Sequence, residues 1–232
     1  MLKKHLKFNT LFAVIFILQL LSEYNHELIR LKYTTKPLIV LSLLLMLTVG
    51  TRLKGRFHKR IFTGLLFALA GDILLMLGDN PAYFMYGLGA FLICHICYIS
   101  AFYLDFRSAP ELDKKGARIA ILMCAFFGIG FYFYIRPHLG PMRLPVLAYT
   151  FVISLMMMMA AFRNLRVNRS SFLFILFGAI CFLVSDALLA LNKFVIQFDY
   201  AGVFIMAAYM AAQYLITMGA VDRKLINLYP KQ

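Results

Sequence analysis

Residues 64–77 read GLLFALAGDILLML and residues 178–191 read GAICFLVSDALLAL. Each is an apolar run of helix length broken by one acid, Asp72 in the first and Asp186 in the second. The two align without a gap at an offset of 114 residues, with Gly64 on Gly178, Gly71 on Ser185 and Asp72 on Asp186. The register continues downstream, where Phe84 and Tyr86 fall on Phe198 and Tyr200, and His95 on Tyr209. Upstream, Lys36-Pro37-Leu38 faces Leu144-Pro145-Val146 at a slightly different offset. Self-similarity at a fixed spacing is the mark of duplication. The chain therefore reads as a single integral membrane domain, residues 1–232, with repeat halves 1–110 and 111–232. Four helices in each half make the repeats parallel, related by an axis along the membrane normal.

Composition agrees with a membrane setting. Of 232 residues, 62% are apolar and 15% charged, and the mean hydropathy is +0.80. A soluble domain is about 45–50% apolar and about 25% charged, so a soluble catalytic domain is excluded. Eight apolar runs are visible, at 8–22, 37–50, 61–78, 82–104, 117–135, 144–162, 171–191 and 198–221. Spans of about 20 residues each leave only short loops, with no room for an extramembrane domain. The first run follows a Lys-rich start but lacks a small-x-small cleavage site, so it reads as a retained helix. The fold expected is an all-α membrane protein of eight transmembrane helices.

The net charge of +14 is a topology signal, not one for nucleic acid. Counted over alternate inter-helix segments, the side that holds both termini carries eighteen Lys and Arg and the other side six. Positive charge marks the cytoplasmic side, which places the N- and C-termini there and suggests a bacterial inner membrane. The six on the far side are Arg30, Lys32, Lys36, Arg136, Arg143 and Lys193.

An aspartate at mid-helix costs roughly 2.5–3.5 kcal/mol even on lenient insertion scales, and marks a functional site by default. At ~1.5 Å per residue, Asp72 and Asp186 lie ~18 and ~22 Å from the cytoplasmic ends of their runs. As a repeated pair they could face each other across the axis. His95 and Tyr98, three apart, share a helix face, as do Tyr209 and Gln213, four apart. Lys36 precedes Pro37 at the far end of the second run, where a lysine either snorkels to the interface or meets a lipid phosphate. Cys94-His95-Ile96-Cys97 resembles a metal or redox motif only superficially, because adjacent helical residues point apart. No metal or cofactor is called for. There is no GxSxG elbow, HExxH pair or Walker A loop, which argues against a serine hydrolase, a zinc hydrolase and an ATP-driven machine.

At these residues the sequence resembles the YhhN-like lysoplasmalogenase family of multipass membrane proteins. The matching elements are KPL at 36–38, GDxxLM at 71–76, H-x-x-Y at His95–Tyr98, FxxSDxxLA at 182–190 and the Tyr209/Gln213 spacing. The resemblance implies hydrolysis of the vinyl-ether bond of a lysoplasmalogen to a fatty aldehyde and glycerophosphoethanolamine or glycerophosphocholine. It implies Asp72 and Asp186 as the catalytic groups. The chemistry suits two carboxylates. A proton goes to the β-carbon, water adds to the oxocarbenium ion, and the hemiacetal collapses, much as glycosidases use two carboxylates about a similar cation. Lys36, His95, Tyr98, Tyr209 and Gln213 are then expected to bind and orient the lysophospholipid. A proton-coupled carrier is the alternative, since mid-membrane carboxylates also relay protons.

Overall fold

A computed structural model of the chain describes residues 6–77 and 81–226. Lys3, Lys4 and Lys231 of the basic side, and the last residue of the 61–78 run, fall outside them. The described residues form eight α-helices: α1 (Leu6–Tyr24), α2 (Ile29–Thr51), α3 (Arg56–Met76), α4 (Pro81–Ser108), α5 (Lys114–Ile135), α6 (Arg143–Ala161), α7 (Arg169–Ala190) and α8 (Ala201–Val221). Short turns connect them, and a π-helical turn at Leu191–Val195 extends α7. Among the described residues the only β pairing is one isolated bridge, Val167 with Leu225.

All the helices but α3 are long and apolar enough to cross a membrane. Every eighteen-residue stretch of α3 contains Lys59, Arg60 and Asp72, too much charge for a span judged on composition. The apolar side chains on the outside suit lipid. Along α5, Leu122, Phe126, Phe127, Ile129 and Phe133 are exposed, a contiguous apolar surface that water would not tolerate.

One boundary differs from the sequence reading. The helix expected to open at Lys36 begins at Ile29, so Lys36 and Pro37 lie two turns inside α2. The first two turns carry Arg30 and Lys32 and are too polar to register as part of an apolar run. Lys32 is matched there by Glu23 of α1 at 2.8 Å. Pro37 is accommodated within the helix at the cost of the one backbone bond that proline cannot make.

The most extensive pairings are α3 with α4 and α7 with α8; α2 also packs on α8, and α6 on α4. Advancing each helix four places turns the α2–α8 contact into α6–α4. Small residues permit the close pairings, as in membrane helix packing generally. Gly64 lies against Cys94 and Tyr98 of α4, and Gly178 against Ala212 and Ile216 of α8. The core between the helices is built on Ile39, Leu43, Leu65, Phe102, Phe182 and Ile216.

At the end of the bundle where α4 stops and α7 begins, a charged clamp ties the helices together. Asp105, fully buried, accepts from Arg163 Nε at 2.8 Å and from Arg223 Nε at 2.7 Å. Arg163 also donates to Ser171, whose hydroxyl bonds the Gly219 carbonyl at 2.7 Å. Arg166 donates to the carbonyls of Ala109, Pro110 and Leu112. Part of the basic side is thus structural: these arginines hold four helix ends in place.

The close α7–α8 crossing gives a test. A Cβ at position 178 would lie 2.8 Å from Ile216 Cγ1 and 3.0 Å from two backbone atoms of α8, which cannot swing aside. Gly178→Ala is expected to destabilise the protein by about 1–3 kcal/mol. Gly130→Ala on the exposed face of α5, where a Cβ meets nothing within 4 Å, should be neutral or slightly stabilising. Unfolding temperatures in detergent check this, and equal effects would contradict tight α7–α8 packing.

Candidate functional site

Both aspartates lie four residues before the end of their α-helix, Asp72 on α3 and Asp186 on α7. Each takes its partners from two other helices. Tyr209 of α8 donates to Asp72 Oδ2 at 2.6 Å, and Lys36 Nζ of α2 stands 3.9 Å from Oδ1. Tyr149 of α6 donates to Asp186 Oδ2 at 2.7 Å, and His95 Nε2 of α4 lies 3.7 Å from the same oxygen. The two carboxylates have no partner in common. Their surroundings nonetheless correspond under the four-helix shift: α2 and α8 serve Asp72, and α6 and α4 serve Asp186. Tyr209 and His95 are the residues that the 114-residue offset superposes.

The Asp72 group extends by hydrogen bonds. Gln213 Nε2 reaches the Tyr209 hydroxyl at 3.5 Å, and Tyr98 donates to Gln213 Oε1 at 2.7 Å. Five residues singled out from the sequence, Lys36, Asp72, Tyr98, Tyr209 and Gln213, therefore form one buried network. Lys36 is turned inward as the counter-ion of Asp72 and is only 8% exposed, instead of resting at a phosphate-level surface. His95 joins the other carboxylate; neither of its ring nitrogens has a hydrogen-bond partner. Aromatic rings separate the two groups. Phe182 meets His95 edge-on at 4.6 Å between centroids and Tyr209 at 5.7 Å.

Only one of the two aspartates reaches open space. A cavity of about 610 Å³ between α4, α5, α6 and α7 is lined by Asp186 and Tyr149 and otherwise almost wholly by apolar side chains. Its volume is that of a site for one small ligand. Asp72 does not line it and is 1% exposed. Among the described residues no cluster of His, Cys, Asp and Glu could hold a metal ion.

The sequence profile of the YhhN family matches residues 31–220, a stretch that includes every residue of this site. The chain belongs to the YhhN family. Among its relatives, the Lysoplasmalogenase of Mycobacterium bovis is 31% identical over 167 residues, covering 71% of this chain and 61% of its own length. Lysoplasmalogenase TMEM86A of Bos taurus is 32% identical over 175 residues, 71% of this chain and 66% of that one. The human Lysoplasmalogenase TMEM86A is 30% identical over the same length, with the same coverage. The chain thus aligns with 61–66% of the length of these relatives. No solved structure gives a significant match.

Tyr149 is the site residue of this YhhN protein that sequence reasoning passed over. Its only signal is its place one helical turn beyond Pro145, which faces Pro37. Phe182 was legible only as apolar filler within a motif.

The pairing of Lys36 with Asp72 can be measured by a double-mutant cycle. Lys36→Met leaves a buried carboxylate without its cation, which costs about 3–5 kcal/mol. The same substitution made together with Asp72→Asn is expected to cost far less. Equal losses of thermal stability in the two backgrounds would show that the ammonium and the carboxylate do not interact.

Proposed function

We propose that this protein is a membrane-embedded hydrolase that cleaves the vinyl ether of a lysoplasmalogen, with the bond-breaking centre at Asp186. The observation that carries the proposal is a single carboxyl group on the wall of an otherwise apolar, lipid-sized cavity. Membership of the YhhN family and the names of the relatives give the substrate class. All eight helices, α3 included, are taken to span the bilayer as two parallel four-helix repeats with both termini cytoplasmic. The matching surroundings of the two aspartates support the repeat, and the basic residues gathered at the terminal end support the orientation.

Asp186 delivers a proton to the β-carbon of the alkene, and positive charge spreads over the α-carbon and the ether oxygen. The resulting carboxylate then takes a proton from the water that adds to the α-carbon. The hemiacetal collapses to fatty aldehyde and glycerophospho-base, so one water is consumed and the aspartic acid is restored. Tyr149 occupies Oδ2 and leaves Oδ1 for the substrate. His95 is 3.7 Å from Oδ2, a gap that a small shift closes, and so is placed to orient the Asp186 carboxyl group.

Asp72 is a positioning residue in this scheme. Its charge is matched by Lys36, and its hydroxyl partner Tyr209 packs on Phe182, which packs in turn on His95. Lys36, Tyr98 and Gln213 complete that support, holding the ring that faces Asp186.

Asp186→Asn is expected to lower kcat by 10²–10⁴-fold, the range for loss of a general acid, while the protein still folds. Tyr149→Phe and Asp72→Asn should lower kcat less, with KM little changed. Aldehyde release from a lysoplasmalogen in detergent measures all three. Near wild-type turnover by Asp186→Asn would overturn the assignment of the reacting carboxyl.

A further inference from the structure

The cavity lined by Asp186 extends to the end of the bundle where α4 and α6 begin, and that end is taken as its mouth. Phe84, Met142, Pro145, Ala190 and Phe194 line it there, and from Met142 to Met157 it follows α6 for ~22 Å. The interior has almost nothing to offer a phosphate. An anion there would lose its hydration without compensation, so the phosphate of any lipid whose chain fills the cavity must stay at the mouth.

Two cations stand at that mouth. Lys193 lies between Ala190 and Phe194, on the π-helical turn Leu191–Val195, closed by the Ile196 N–H on the Leu191 carbonyl at 3.0 Å. Turns of this kind are frequent at functional sites. Its ammonium rests 4.9 Å over the ring of Phe84, itself a wall of the cavity. Arg143 stands between Met142 and Pro145 at the start of α6, where its carbonyl accepts the Tyr132 hydroxyl at 3.3 Å. Both side chains are exposed, and among the described residues neither forms an ion pair. Lys36 and Lys32, by contrast, are committed to Asp72 and Glu23.

Spacing makes the pair more than a basic rim. Seven residues separate Lys193 from Asp186 along α7 and its π turn, and six separate Arg143 from Tyr149 along α6. Each is a drop of about 10 Å at the helical rise. In a stretched lysophospholipid the phosphorus and the first alkene carbons are a few bonds apart through glycerol, a distance of the same order. We propose that Lys193 and Arg143 form a phosphate anchor at the cavity mouth that sets the depth of the lipid and places its ether linkage beside Asp186.

This proposal rests on the hydrolase reading for its substrate, and binding measured apart from turnover separates the two. The probe is an alkyl-ether lysophosphocholine, which lacks the alkene and cannot be cleaved by this route. Its binding to purified protein in detergent is compared for wild type, Lys193→Gln, Arg143→Gln and the double variant. Arg30→Gln, which changes an exposed cation of α2, a helix that contributes no residue to the cavity lining, serves as control. A charge-assisted hydrogen bond is worth about 1.5–3 kcal/mol, so each single variant should weaken binding roughly tenfold or more, and Arg30→Gln should leave it unchanged. An alkylglycerol of the same chain length, which has no phosphate, should bind all five proteins alike, and inorganic phosphate should not displace the lysolipid at comparable concentration. Unchanged lysolipid affinity in the double variant, equal losses for the alkylglycerol, displacement by free phosphate, or no lysolipid binding by wild type would each overturn the anchor. Wild-type protein that binds the alkyl lysolipid, with the expected losses in the variants, but releases no aldehyde from the alkenyl lipid would sustain the anchor and overturn the hydrolase reading.

Discussion

A carboxylate inside a helical bundle in lipid has no water to fall back on, and every polar group there must find its partner within the protein. Asp72 and Asp186 impose this demand twice, at the same distance from the ends of α3 and α7. Each is met by the helix before its own and by one remote in sequence: α2 and α8 for Asp72, α6 and α4 for Asp186. Satisfying the two acids therefore fixes how six of the eight helices are arranged. The small residues on α3 and α7 let α4 and α8, respectively, pack closely against them.

The two carboxylates end up in different chemical settings although their helices correspond. Asp72 faces an ammonium and a phenol and is closed off, the head of a network that runs through Tyr209 and Gln213 to Tyr98. Asp186 faces a phenol and an unpartnered imidazole and opens onto an apolar cavity. On the proposed duplication, one of the two equivalent acids serves as scaffold and the other as the wall of the reaction chamber, each drawing on helices of both halves. The edge-on ring contacts from Tyr209 through Phe182 to His95 are the physical link between them.

Much of this was legible in the sequence because the underlying physics is local. Helix-length apolar runs gave the helices, and helical spacing put Tyr209 with Gln213; the same spacing set His95 beside Tyr98, which the structure divides between the two groups. What local reading could not supply was partnership across helices. Lys36 beside Pro37 looks like a helix start at the interface, and only the fold shows two polar turns ahead of it and Asp72 within reach. Tyr149 is one tyrosine among thirteen until α6 is laid against α7. Asp105 was passed over beside the basic loops, and its burial between Arg163 and Arg223 depends on three segments meeting. That Asp72 and Asp186 belong to separate groups was likewise invisible, since an offset in sequence says nothing about the aromatic side chains that come between.

On the proposed function, a carboxylic acid on the cavity wall protonates the alkene carbon of a lipid vinyl ether. Turnover of a lysoplasmalogen by the purified protein in deuterium oxide, with the aldehyde trapped as it forms, tests this most directly. The expected product is a fatty aldehyde with a single deuterium on the carbon next to the carbonyl, released in step with the glycerophospho-base. Aldehyde without that deuterium would contradict protonation at carbon, and absence of aldehyde would contradict the hydrolase and turn attention to a carrier.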